Sequence, residues 1–216
     1  MRTIILLAFT SLFLISCSKD RLTASGDKTT ETRTVKEFTG VESDGGNDVH
    51  ISYGAEFKVV LKGSNNLLPY FKTEVTGSTL RLGYERVNVR QDDVQVYVTL
   101  PLINYIAVSG SADVDINGAF PQINYFQVSI SGSGEVEAED VLNVKEAVIK
   151  ISGSGEADLK KVQSKTAEVN ISGSGDARIS VEQSLKARIS GSGKVYYSGS
   201  PQIDSQISGS GKLIKF

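Results

Sequence analysis

Ile130-Ser131-Gly132-Ser133-Gly134, Ile151-Ser152-Gly153-Ser154-Gly155, Ile171-Ser172-Gly173-Ser174-Gly175, Ile189-Ser190-Gly191-Ser192-Gly193 and Ile207-Ser208-Gly209-Ser210-Gly211 repeat one pentapeptide. Val108-Ser109-Gly110-Ser111-Ala112 is a further copy that ends in alanine. The first serines lie 22, 21, 20, 18 and 18 residues apart. A period of about 20 residues marks a solenoid, in which each repeat is one coil stacked on the last. Each motif follows a stretch of strand periodicity: Ala147, Ile149 and Ile151 share one face, and Val148 and Lys150 take the other. Alternation resumes after the glycines, with Ala157 and Leu159, or Ala177 and Ile179, facing inward. Each coil is therefore strand, Ser-Gly corner, strand and return. Stacked coils pair in parallel at about 4.8 Å per rung. Parallel strand connections are right-handed. The expected fold is all-β, a right-handed parallel β-helix.

Corner glycines are expected where the bend needs positive φ or has no room for a Cβ. The two serine columns are expected to form hydroxyl ladders that satisfy the turn. Ala112 predicts a looser first corner. Leucine-rich repeats share the period but need several leucines per unit, and the unit from 172 to 189 has only Leu185. Calcium-binding nonapeptide repeats are shorter and place their acid differently.

Residues 35–105 lack the motif but stay β-like, with strands expected at Phe57–Leu61, Thr79–Leu82 and Val94–Val98. Asn66–Phe71 reads as a short helical turn. This half is expected to be an irregular β-rich N-terminal cap over the open end of the coils, which occupy 106–216.

Ahead of the cap, Arg2 precedes an apolar run from Ile4 to Ile15, too short to span a bilayer comfortably. The run ends in Leu14-Ile15-Ser16-Cys17, which resembles the lipobox of bacterial lipoproteins. The resemblance implies a signal peptide over 1–16, cleavage before Cys17, palmitate and other acyl chains on that cysteine, and permanent anchoring. Residues 17–34 read as the lipidated cysteine followed by a flexible polar tether. Ser18, in place of the aspartate associated with inner-membrane retention, implies the outer membrane of a diderm bacterium.

The layout as a whole resembles the head GIN domain family, through its repeated Ser-Gly-Ser-Gly corners and a strand of the type Val94 to Leu100 followed by Pro101. The resemblance spans about 35–216. It implies a β-helical, secreted or surface-tethered bacterial protein and carries a label of adhesin. No catalytic residues come with it.

Composition narrows the chemistry. The chain has 216 residues, 23 Lys+Arg against 25 Asp+Glu, and a formal charge of −2, so no basic face invites nucleic acid. One Cys and one His exclude an intramolecular disulfide, cysteine zinc sites and multi-histidine metal centres. Neither a cofactor motif nor a metal motif stands out. Gly191-Ser192-Gly193-Lys194 lacks the upstream glycine and following helix of a phosphate loop. His50, between Val49 and Ile51, falls on the outer face of a strand and reads as solvated.

The corner acids stand out more. Asp113, Glu135, Glu156 and Asp176 follow successive corners, and Asp115, Glu137 and Asp158 lie two places further on. They form an outward acidic strip. Like charges about 5 Å apart in water repel by only about 0.8 kcal/mol, so the strip is tolerable as a solvated face. Weak cation or cationic-partner binding, at or above millimolar calcium, is the expected ligand chemistry. The expected function is a non-catalytic, lipid-anchored binding or structural module that presents a β-helix to a glycan or protein ligand. The alternative is a β-helical lyase or hydrolase acting on polysaccharide, which needs converging acids in a groove walled by long loops.

Overall fold

The computed structural model describes residues 21–85 and 87–216. The expected signal peptide and Cys17 lie outside them. The strands in chain order are β1 (Arg21–Thr23), β2 (Lys28–Arg33), β3 (Gly40–Gly45), β4 (Val49–Tyr53), β5 (Lys58–Ser64), β6 (Phe71–Thr76), β7 (Thr79–Tyr84), β8 (Asn88–Arg90), β9 (Gln95–Leu100) and β10 (Tyr105–Gly110). There follow β11 (Asp113–Asn117), β12 (Ile123–Gly132), β13 (Glu135–Ala138), β14 (Leu142–Gly153), β15 (Glu156–Gly173), β16 (Asp176–Gly191), β17 (Lys194–Gly199), β18 (Gln202–Gly209) and β19 (Lys212–Lys215). A single 3₁₀ turn at Leu68–Tyr70 fills the expected helical position.

The parallel β-helix is there, with the expected register. One sheet, here sheet A, carries the strands that enter each corner: β10, β12, β14, the second half of β15, the second half of β16, and β18. Sheet B carries the strands that leave it: β11, β13, the first halves of β15 and β16, β17 and β19. The inward column Val108, Ile130, Ile151, Ile171 and Ile189 is at most 3% exposed. Each such side chain gains about 1.5–3 kcal/mol from burial. A third side carries the return, where Val162 and Val181 stay buried. The pairing shifts register there, between Leu159 and Gln163, so variation in coil length is absorbed away from both the corner and sheets A and B.

Backbone closes the corners. The amides of Ser133, Ser154, Ser174, Ser192 and Ser210 each donate to the first corner glycine's carbonyl one rung earlier, at 2.8–2.9 Å. Both serine columns are exposed, and among the described residues their hydroxyls form no ladder. The expected hydroxyl ladder is thus corrected: a parallel stack already supplies one amide and one carbonyl per rung. Ala112 is also not a loose end, because it is fully buried. A Cβ at Gly155 would meet Ile130 Cγ2 at 2.5 Å, whereas the residue paired below Val108 is the smaller Ser43. Alanine fits where its lower neighbour is small.

The N-terminal half departs from expectation. β3 pairs with β10 and β4 with β11, so 40–53 forms a complete rung, turning at Gly45 with φ +134° in register with Gly110. β7 and β9 then lie on the far side of β3 and β4 and form another parallel rung. The chain lays down a middle rung, drops below it, and climbs. Among the described residues only β2, β5 and β6 run antiparallel to their neighbours in the stack, and they cover its lower edge. The expected cap is therefore smaller than 35–105.

The tether expectation fails over its second half. β1 pairs with β8, and β2 pairs with β5 through Lys28↔Ser64 to Arg33↔Val59. Thr29 to Thr32 have the alternation and β-branching of an edge strand, which composition alone disguises as linker. At the other end, every residue of β18 is exposed.

Candidate functional site

Two faces of the helix carry organised side chains. On sheet B the predicted acidic strip is in register: Asp113, Glu135, Glu156 and Asp176 pair rung on rung, as do Asp115, Glu137 and Asp158. The strip is far from bare. Arg178 pairs with Glu156 from one rung above, and its guanidinium lies 4.9 Å from the centre of the Tyr196 ring. Lys160 donates to Asp158 at 2.8 Å and reaches Glu137 at 3.9 Å. Asp176 accepts the backbone amide of Lys194 at 2.9 Å. Among the described residues no group of three or more His, Cys, Asp or Glu converges as a metal site. A cation on the strip would compete with Lys160 and Arg178.

His50 is on the outer face as expected, but it is not simply solvated. Its Nδ1 lies 2.5 Å from Asp115 Oδ1, and its ring sits 4.7 Å from that of Tyr97. Lys62 Nζ caps the other side of Tyr97 at 4.0 Å. The lower end of the strip is thus closed by a stack of cation, aromatic ring and imidazole.

Glu135 sits where the acids crowd. Partial burial, followed by repulsion from Asp113, Glu137 and Asp158, pushes its carboxyl above the ordinary glutamate range, and Arg178 opposes the shift. A raised folded-state value means that folding favours the protonated form. Its stabilisation is complete below the ordinary range and is lost as pH rises through the raised value. Glu135→Gln should therefore raise the melting temperature at neutral pH, with the difference closing as the solution is acidified. Thermal melts across that range check it; a gap independent of pH would mean the strip does not act on Glu135.

Sheet A holds a feature that sequence reading missed. A shallow groove of about 760 Å³ runs along its outer surface across successive rungs. Its floor is the exposed serine column, from Ser109 through Ser131, Ser152, Ser172 and Ser190 to Ser208. The outward column beside it carries Ala107, Ser129, Lys150, Asn170, Arg188 and Gln206, in register. Tyr105 and Glu42 close its lower end. The groove exists because the motif forces short side chains onto one column in every rung. The available signal was the residue two places before each first serine, read down the repeats.

Two acids near the groove, Glu42 in its lining and Glu168 beside it, are engaged. Glu42 faces Arg81 Nε at 3.4 Å. Glu168 accepts from Asn170 at 3.1 Å and from Lys186 at 3.4 Å, and these contacts hold its carboxyl below the ordinary glutamate range. Neither offers a free acid–base pair.

The sequence of residues 37–201 matches the family described as putative auto-transporter adhesin, head GIN domain. Among proteins of curated function, none matches the chain. Solved structures share the fold. A putative adhesin from Bacteroides fragilis superposes with a TM-score of 0.72 at 19% identity, covering 90% of this chain and 100% of its own. A putative lipid binding protein from Parabacteroides distasonis gives 0.63 at 20% identity, covering 91% and 100%. A putative adhesin from Parabacteroides merdae gives 0.55 at 19% identity, covering 91% and 99%. At such identities the likeness establishes fold alone. Match, repeat register and corner geometry agree: this chain belongs to the head GIN domain family.

Proposed function

We propose that the protein is a non-catalytic binding module of the bacterial cell envelope, lipid-anchored through Cys17 to the outer membrane, with the sheet A groove as its ligand face. The observation that carries this reading is the groove itself. It repeats one small-residue column rung after rung on a rigid support, the form suited to gripping an extended ligand at many weak points. The adhesin descriptions of the family and of its structural neighbours support the same reading, and so does the lining of the groove, whose one carboxylate, Glu42, is engaged by Arg81. The competing reading, a polysaccharide lyase or hydrolase, would show itself as new reducing ends or unsaturated products when the protein is incubated with a polysaccharide panel.

Two substitutions test the proposal. Cys17→Ser should abolish palmitate labelling and release the protein from the membrane pellet; unchanged partition into detergent would overturn the anchor. Ser172→Trp fills the middle of the groove from an exposed position and should leave the fold intact. Particles coated with that variant should lose attachment to envelope or host-cell surfaces that the parent binds. Equal attachment would overturn the groove as the ligand face.

A further inference from the structure

Resting on that reading of the groove, we propose that its ligand is a linear anionic polysaccharide, bound with one sugar per rung and with carboxylates held by Lys150 and Arg188. Rungs repeat at about 4.8 Å, and an extended, equatorially linked pyranose chain advances by about the same step per sugar. A stack of identical coils can therefore offer each sugar the same set of groups. Those groups suit a carbohydrate. The exposed serine hydroxyls of the floor have no protein partner among the described residues, so they are free to donate to and accept from sugar hydroxyls. Asn170 uses its amide nitrogen on Glu168, which leaves its carbonyl oxygen to accept. Tyr105 at the lower end is only partly exposed and presents an aromatic surface for the apolar face of a pyranose ring.

Charge makes the ligand acidic. The charged residues of the lining are Glu42, Lys150 and Arg188, and Glu42 is matched by Arg81; beside the lining, Glu168 is matched by Lys186, while Asp44 and Asp204 lie outside it. Lys150 and Arg188 are exposed, and among the described residues neither lies within ion-pair distance of a carboxylate, although Glu168 also feels the field of Arg188. They stand in the same outward column two rungs apart, with Asn170 between them. In a chain whose successive sugars turn over, every second carboxylate faces the same wall. Cations two rungs apart fit that period. A lone anion would use one of them and ignore the rest of the groove.

The test uses the full-length protein anchored in phosphatidylcholine vesicles, titrated with β-1,4-linked polyglucuronate oligosaccharides, cello-oligosaccharides of equal length, and protein-free phosphatidylglycerol vesicles. The expected result is binding to polyglucuronate that weakens with added salt and falls about tenfold in Lys150→Gln/Arg188→Gln, since two exposed ion pairs are lost. Glu135→Gln, on sheet B, should bind as the parent does. Equal affinity for the neutral chain, indifference to the double substitution, or capture of vesicles in place of the oligosaccharide would each overturn the proposal. If Ser172→Trp still abolishes surface attachment while polyglucuronate fails to bind, this ligand class falls and the groove stands. If neither assay responds, both fall.

Discussion

Ile171→Asp should melt the upper coils of the helix and leave the lower ones folded. Ile171 is 3% exposed and stacks in register between Ile151 below and Ile189 above. A carboxylate there has no partner, and the column offers none. The loss of isoleucine packing adds to the burial of an unpaired polar group, for a cost of about 4 kcal/mol or more. In a stack each rung touches only its neighbours, so the damage should spread upward more readily than down. Above the lesion lie β16 to β19, whose last strands already have an unpaired edge. Below it lie β10 to β14 and the antiparallel cover. Amide exchange should show protection lost from Asp176 onward and retained through Val108 and Ile130. The control is Lys150→Asp, which changes an exposed outward position and should leave the melt nearly unmoved. Equal loss of protection in the two variants would mean that the inside and outside of sheet A are exchanged.

The part of the fold that could be read in advance is the part where side-chain pattern and backbone geometry coincide. Ser-Gly-Ser-Gly fixes a corner, its spacing fixes a coil, and the isoleucine before it fixes the inward face. Asp44-Gly45-Gly46-Asn47 turns a corner in the same register without the serines, so the rung of β3 and β4 was hidden. Gly45 was the surviving clue. Residues 28–33 were misread as linker because a polar edge strand and a tether share a composition. Of the candidate site, the acidic strip followed from the period, but its neutralisation did not. Lys160 is the next outward position after Asp158, but its counterparts in neighbouring rungs, Glu139 and Ser180, are not cationic, and His50 meets Asp115 across 65 residues of chain. The groove was legible in principle, but the serines drew the reading to the corner and away from the column beside it.

Gly173→Ala should be a severely damaging single-methyl change. Gly173 has φ +126°, a conformation that L residues rarely adopt, and an added Cβ would overlap the Gly153 carbonyl oxygen. That carbonyl accepts the amides of Ser174 at 2.8 Å and Gly175 at 3.1 Å, so it cannot turn away without opening the corner. Strain at such a backbone position costs about 1–3 kcal/mol, and the overlap adds to it. A total of about 3 kcal/mol or more corresponds to a fall of roughly 6–12 °C in the melting temperature of a chain this long. Gly77→Ala separates the two causes. Gly77 also has positive φ, +62°, but a Cβ there meets nothing within 4 Å, so only the conformational part should appear, about 1 kcal/mol. Ala112→Gly completes the series, because it tests a Ser-Gly corner that already tolerates a methyl. It should lower stability by about 1 kcal/mol through lost burial and added chain freedom, and stiffen nothing. The order of damage follows from what sits below each residue: a carbonyl under Gly173, open space around Gly77, and a rung with the small Ser43 in the inward column under Ala112. Calorimetry on the three variants reads that order directly. A Gly173→Ala melt no lower than that of Gly77→Ala would show that the corners yield, and that the glycine repeat reflects backbone conformation alone.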